Sequence, residues 1–475
     1  MSDVNSVISD DLNDLRAVLR SAPEATTLHP IGLREVRRGE GAVRALADVL
    51  RRVGVEDGSA MALLSDATPK RYANDDLLDV VMNLLDGHYR VDVTIVTAKS
   101  SGVEVVADED TVASAVDRTR LGDPKGLVSV GSGTVTDIAK VVAAKLSIPH
   151  VVIQSAASVN GFSDDQSVLL IDGAKRTTPS RWPDALIIDP LLLKSAPLAM
   201  TRSGLGDQLS MFTAAADWYL ADAVGFDTSY SPALVTMMRD GVEALLSVTR
   251  DLGEGESNAV TALAECLTRG GLAMGAAGRT APSSGLEHAI SHLLEMDADA
   301  HDRPSASHGS QVGVASVVAA LAWRHVQRRL VEGGVNLGEE NVASRERVLD
   351  AFADLDSSGA TARECWRLYE RKALWIRDHL DQLSRVVDEW PLHTRTIDEL
   401  LQPTEVVVAA LRSAQAPVTF GDLSPAPENA VVEWAVTNSH LMRDRFSVLD
   451  LADLMGVWGE DDIHAVLAEA DVLAR

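Results

Sequence analysis

Of the twelve histidines in the chain, His288, His292, His301 and His308 fall within one short stretch. His288 and His292 are four residues apart in Leu286-Glu287-His288-Ala289-Ile290-Ser291-His292-Leu293. If this segment is helical, both imidazoles project from one face. His308 opens His308-Gly309-Ser310-Gln311, just ahead of a long apolar run. Neutral imidazole is the commonest protein ligand for zinc and its neighbours, so two or three of these groups meeting at one point would make a metal site. The competing reading is a set of unrelated surface and core histidines, since such spacing also arises by accident.

A carboxylate could complete the site. Asp207, in Gly204-Leu205-Gly206-Asp207-Gln208-Leu209-Ser210, is open to two roles. It would either cap a following helix or ligate a histidine-bound metal. A second chemistry lies upstream in Gly131-Ser132-Gly133-Thr134-Val135-Thr136-Asp137. A strand entering a glycine-rich turn and then a helix offers free N–H groups and a positive dipole end to a phosphate. Thr136 stands where a full GxGxxG fingerprint needs its third glycine, so a plain strand–helix turn fits equally well.

These residues need elements to hold them. Ala60 to Leu64, Val91 to Val96, Leu127 to Val130, Val151 to Gln154, Ser167 to Ile171 and Ala185 to Ile188 read as strands. Helical patterns such as Val135 to Lys145 separate them, which predicts βαβ units and a parallel sheet. Along Val91 to Val96 the valines and Ile95 alternate with Asp92 and Thr94. Beyond about Lys194, strand signals nearly vanish. Met211 to Ala223, Leu234 to Leu252, Ala259 to Gly275, Gly285 to Met296, Val312 to Leu330 and Ala362 to Val387 read as helices. The expected fold is therefore α/β over residues 1–193, followed by an all-helical part over 194–475.

Composition narrows the partners. Forty-three basic against 70 acidic side chains give a formal charge of -27, which argues against nucleic acid and anionic membranes. Cys266 and Cys365 are the only cysteines, so neither a disulfide framework nor a thiolate metal knuckle is expected. No signal peptide is evident at Met1-Ser2-Asp3-Val4, and the apolar run Val312 to Trp323 is too short to span a bilayer. A soluble, cytoplasmic, homo-oligomeric protein without membrane insertion is expected.

Five motifs occur in order: Gly131 to Asp137, Ser155-Ala156-Ala157-Ser158, Gly204-Leu205-Gly206-Asp207, Glu287-His288 with Ser291-His292, and His308-Gly309. Together they resemble the sn-glycerol-1-phosphate dehydrogenase branch of the iron-containing alcohol dehydrogenase superfamily. The likeness covers roughly residues 30 to 330 and is echoed at Arg443-Asp444-Arg445-Phe446-Ser447-Val448-Leu449. It implies a Rossmann-like dinucleotide-binding domain followed by a helical domain that binds metal and substrate. Asp207, His288 and His308 would ligate a divalent metal, zinc foremost with iron or nickel as alternatives, and His292 would contact substrate. Gly131, Ser132, Gly133, Thr134, Val135 and Asp137 would form the pyrophosphate-binding segment. Ser155, Ala156, Ala157 and Ser158 would lie against the nicotinamide half. Asp66 matches the position expected at the adenosine ribose, which favours NAD over NADP; it could instead cap a following helix.

Two positions depart from the pattern. Asn160 stands where the family carries a substrate-contacting Asp, and Asp164 where it carries a Ser near the cofactor. Asn loses the charge and gains a donor, so substrate preference is the property most exposed to change. Lys175 and Arg176 could meet a substrate phosphate or simply decorate a hairpin tip. The implied reaction is hydride transfer between NAD(P) and a small polyol phosphate, with sn-glycerol 1-phosphate and dihydroxyacetone phosphate as the default pair. The alternatives are a dehydrogenase of an unphosphorylated polyol, a cyclase resembling 3-dehydroquinate synthase, and a non-catalytic relative. The cyclase class uses Glu where Asp207 stands and surrounds its metal with basic residues, which are sparse in sequence near His288 and His308.

Overall fold

A computed structural model describes residues 9–98, 105–335 and 337–475. The chain folds as two compact units. The first comprises the described residues of Met1–Ile171, Arg176–Gly204 and Ser231–Thr280; the second comprises those of Asp172–Lys175, Leu205–Tyr230 and Ala281–Arg475.

Ten strands form among the described residues. They are β1 (Glu35–Arg38), β2 (Ala60–Asp66), β3 (Arg71–Tyr72), β4 (Asp75–Asp76), β5 (Arg90–Val96), β6 (Leu127–Gly131), β7 (His150–Gln154), β8 (Gln166–Ile171), β9 (Ala174–Pro179) and β10 (Ala185–Ile188). Six of them make one parallel sheet in the order β1-β10-β7-β6-β2-β5. β6, β7 and β10 are buried along their whole length, as expected when both faces of a parallel sheet are covered. The pleat divides their side chains between two cores. Leu63, Val128 and Val151 join one with Leu46 and Leu85, while Leu64 and Leu127 join the other with Ile138 and Val142.

β5 is an edge strand, where Val91 packs against the core and Asp92 is exposed as the alternation suggests, but Val93 and Thr94 depart from it. Thr94 and Val96 are buried and Val93 is exposed. β8 leaves the parallel series altogether and pairs with β9 in a two-stranded sheet. Asp172 and Gly173 join them with φ of 49° and 75°, the backbone that an Asp-Gly hairpin turn adopts. A two-residue connection permits only antiparallel pairing between the two strands that it joins.

The helical reading holds, with two breaks. Leu234 to Leu252 is divided among helices Pro232–Arg239, Val242–Ser247 and Thr249–Gly253, with Gly241 at φ 85° after the first. Ala362 to Val387 becomes Ala360–Asp378 and Leu380–Asp388, parted at His379. The second unit's helices include Met211–Ala223, Leu286–Ala300, His308–Glu332, Ala360–Asp378 and Val448–Leu454. Among the described residues, no helix is long and apolar enough to cross a membrane.

Candidate active site

In the second unit, three side chains from three helices converge. Asp207 lies in the last turn of helix Leu198–Leu209, His288 in the first turn of Leu286–Ala300, and His308 at the start of His308–Glu332. Asp207 is thus inside a helix rather than capping one. Its Oδ1 lies 3.4 Å from His288 Nε2 and 3.8 Å from His308 Nε2. One ligand atom from each of the three lies within 4.8 Å of the others. Gly206 permits this approach. A Cβ there would sit 2.1 Å from the Gly309 carbonyl oxygen, so any side chain would push the Asp207 and His308 helices apart.

Both histidines are held from behind by carboxylates. Glu287 Oε1 accepts from His288 Nδ1 at 3.0 Å, and Glu295 Oε1 accepts from His308 Nδ1 at 3.1 Å. Nδ1 of each imidazole is thus engaged by a carboxylate, and Nε2 is turned towards Asp207. Such backing fixes ring orientation and raises ligand basicity. The donor set fits a divalent cation: one carboxylate and two oriented imidazoles, with coordination positions left for substrate.

Charge at the cluster is set against burial. Burial would raise the Glu287 carboxyl, but bonds from His288, Thr213 and the Gly285 N–H hold it below the usual range. Burial would depress His288, yet Asp207 and Glu287 raise it. His292 is driven well below its ordinary value by burial, with Glu295 opposing, so its ring is neutral. His292 follows His288 by one helical turn, and its ring stacks on His308 with centroids 5.6 Å apart. His301 leaves the group: it ends its helix with Nδ1 2.8 Å from the Asp297 carbonyl.

In the first unit, β6 runs through Gly131 into helix Gly133–Leu146, and Ser132 makes no side-chain cap there. A Cβ on Gly131 would lie 2.4 Å from Val135 Cβ. Ser132, Gly133 and Thr134 are partly accessible, whereas the Val135 side chain is in the core and leaves only its backbone for a ligand. The uncapped helix end and the glycine turn suit a pyrophosphate. Ser155, Ala156, Ala157 and Ser158 follow β7 and are buried, and Asn160 beyond them is half-buried. Asp66 ends β2, where Lys70 pairs with it and Thr68 Oγ1 donates to it at 3.1 Å. It caps nothing, because Asp76 caps the next helix.

Asp137 and Asp164 share one cation. Lys140, with no side-chain exposure, lies 3.2 Å from Asp137 Oδ1 and 2.6 Å from Asp164 Oδ1. Burial pushes the Asp137 carboxyl up to about 6, and Lys140 holds it back. This ion cluster has no counterpart in the sequence reading, though the i, i+3 spacing of Asp137 and Lys140 was its visible half.

The basic residues missing near the histidines in sequence arrive from far along the chain. Lys175, in β9 just after the turn, lies 3.5 Å from Glu295. The Arg443 charge acts on His292. Lys175 is thus half-buried against the cluster's supporting carboxylate rather than standing free at a hairpin tip. Glu287 and Glu295 were legible only as acids flanking the histidines.

Residues 37–197 match the iron-containing alcohol dehydrogenase family. The glycerol-1-phosphate dehydrogenase (NAD(P)+) of Bacillus subtilis strain 168 is 30% identical over 72% of this chain and 83% of its own length. The enzyme of the same name from Thermococcus kodakarensis is 28% identical over 63% of this chain and 82% of its own. Among solved structures, the iron-containing alcohol dehydrogenase of Thermococcus thioreducens aligns with a TM-score of 0.56 at 17% identity, covering 93% of this chain and 98% of that one. A probable glycerol dehydrogenase from Sinorhizobium meliloti 1021 gives 0.56 at 16%, covering 93% and 97%. At such identities the structural likeness speaks for the fold alone. The sequence relationship reaches further: this chain belongs to the sn-glycerol-1-phosphate dehydrogenase branch of the iron-containing alcohol dehydrogenase superfamily.

Proposed function

We propose that the protein is a metal-dependent dehydrogenase that transfers hydride between NAD(P) and sn-glycerol 1-phosphate or a close polyol phosphate. The observation that carries this reading is the convergence of Asp207, His288 and His308, in a chain related to enzymes of that name. Residues 1–193 would bind the dinucleotide, and 194–475 the metal and substrate. Zinc is the metal of choice for one carboxylate and two imidazoles, and iron or nickel would fit the same donors.

Asp207, His288 and His308 would hold the metal. Gly131 to Val135 and Ser155 to Ser158 would hold the dinucleotide, with Asp66 at the ribose. When bound, the metal supplies a Lewis acid for the substrate oxygen and the dinucleotide a hydride acceptor. Glu287 and Glu295 keep both ligand imidazoles in the tautomer that faces the site. His292, neutral and buried, can exchange a hydrogen bond or a proton with a substrate hydroxyl. Asp137 and Asp164, tied to Lys140, would act on the cofactor by shaping the turn and the loop that carry the contacts. Asn160 would meet substrate as a neutral amide.

The test follows absorbance of the reduced nicotinamide with dihydroxyacetone phosphate and with unphosphorylated ketoses, in stripped and metal-loaded protein. Turnover that needs metal and favours the phosphate ester is expected. Preference for a free ketose would move the substrate assignment, and no turnover with any loaded metal would end the enzymatic reading.

A further inference from the structure

The C-terminal motif Arg443 to Leu449 meets the first turn of the helix that carries His288, all within the second unit. That helix, Leu286–Ala300, begins at Gly285 with no side-chain cap of its own. Its start is gripped from elsewhere. Arg443 donates to the Gly285 carbonyl and Arg445 to the Ser284 carbonyl. Asp217 joins the two segments. Its Oδ2 accepts the Leu286 N–H at 2.8 Å, and its Oδ1 accepts the Val448 N–H at 2.9 Å.

The strap is itself anchored. Lys372, with no side-chain exposure, donates to the His440 carbonyl at 2.6 Å and the Arg445 carbonyl at 2.9 Å, and pairs with Asp450 Oδ1 at 2.6 Å. Asp450 Oδ2 in turn accepts the Ser447 N–H at 2.8 Å, which turns the chain into helix Val448–Leu454. A strap that only filled space would not need a wholly buried ammonium on one side and two guanidiniums aimed at one pair of carbonyls on the other. Desolvating such groups is unfavourable unless every bond is made.

We propose that the strap His440–Asp450 is a positioning device for His288. Arg443, Arg445 and Asp217 are its positioning residues, and Lys372 is its anchor. His288 stands in the first turn of its helix, so the placement of Gly285 and Leu286 sets where Nε2 points. A metal–imidazole bond of about 2.0–2.1 Å tolerates displacement of only a fraction of an ångström. The strap thereby gives the C-terminal part of the chain a task at the metal centre without touching the metal. The inference rests on His288 being a metal ligand.

The experiment uses the full chain loaded with zinc or cobalt(II), and compares Arg443→Met, Arg443→Lys, Asp217→Asn and His288→Ala with the parent. Metal affinity is read by chelator competition and ligand geometry by the cobalt(II) visible spectrum. The unfolding midpoint of the metal-free proteins reads stability separately. Arg443→Met is expected to bind metal about 10- to 100-fold more weakly with an altered cobalt spectrum, the range for lost support behind a ligand. Arg443→Lys, which keeps a donor for the Gly285 carbonyl, should recover part of both. Parental affinity and spectrum in Arg443→Met and Asp217→Asn, with metal lost from His288→Ala, would overturn the strap alone. Parental metal binding by His288→Ala would overturn the metal-site reading and the strap with it. If Arg443→Met does not fold, the near-isosteric Asp217→Asn decides by the same two readouts.

Discussion

The buried carboxylate of Glu287 accepts a hydrogen bond from Nδ1 of His288, its neighbour in sequence, at 3.0 Å, and Nε2 of the same ring faces Asp207 Oδ1 at 3.4 Å. Glu287 Oε2 also accepts from Thr213 at 2.7 Å, so the carboxylate cannot swing away. Glu287→Gln keeps the shape and removes the charge. Metal affinity, measured against a chelator, is expected to fall about 10- to 100-fold. Unchanged affinity would mean that the carboxylate does not tune the ring.

Alanine at Asp207, His288 or His308 should abolish turnover and metal retention together, because two remaining ligands hold a catalytic cation poorly. The helices bury their apolar faces independently of these side chains, so cooperative unfolding should persist. Metal analysis and a thermal melt on each variant check both halves. A variant that keeps bound metal and activity would remove that residue from the ligand set.

Asn160→Asp restores a charge at a half-buried position. The expected outcome is a changed ratio of kcat/KM between phosphorylated and free ketoses, worth about 1–3 kcal/mol in transition-state terms. An unchanged ratio would show that residue 160 does not reach the substrate.

Asp66 does not face a ligand as an isolated charge, since Lys70 pairs with it. A carboxylate there repels a 2′-phosphate and accepts ribose hydroxyls, so NAD should be preferred in the parent. Asp66→Ala removes the repulsion and frees Lys70 for that phosphate. The NADP/NAD ratio of kcat/KM should rise on the order of tenfold, about 1.4 kcal/mol. Equal use of both cofactors by the parent, unchanged in the variant, would leave Asp66 as the partner of Lys70 and nothing more.

His150 starts β7 wholly buried, with Nε2 2.8 Å from Ser129 Oγ and no partner at Nδ1. Burial, followed by the charges of Lys140 and Arg181, lowers it from 6.5 to about 3. Above pH 6.5 the ring is neutral in the folded and unfolded chain alike. As pH falls from 6.5 towards 3, only the unfolded chain takes up the proton. Stability should then fall by up to about 1.4 kcal/mol per pH unit. Urea midpoints of metal-free parent and His150→Gln across this range should show the flatter profile in the variant. Parallel profiles would mean that His150 is protonated in the fold.

Much of the first unit was legible because parallel strands buried on both faces carry their pattern locally. β6, β7 and β10 are short apolar runs closed by turns, and Gly131 to Val135 announces a strand–helix junction. β8 was legible as a strand next to the Asp172-Gly173 turn, but strand character does not say which partner a strand takes, and its separation from the main sheet is seen only in the fold. Thr94 is buried and Val93 exposed because helix Glu109–Leu121 packs on the Thr94 face, with Thr119 Oγ1 bonded to Thr94 Oγ1, and which helix covers which face is a property of the fold.

By itself, the sequence determined that His288 and His292 share a helix face, that an α/β region precedes a helical one, and that the ordered motifs are those of one family. Helical periodicity and motif order are properties of contiguous residues, so they survive without coordinates. Only the tertiary structure decided which groups surround the cluster. Asp207 and His308 are brought together by the close helix approach at Gly206 and Gly309. Lys175 reaches Glu295 from β9, just after a hairpin turn, and Arg443 reaches the Gly285 carbonyl from the C-terminal part of the chain. Burial then settled the roles of acids that look alike in sequence. Glu287 became a fixed acceptor for the His288 imidazole and Asp164 the partner of Lys140, because a charge taken out of water must find its counterpart wherever folding has placed it.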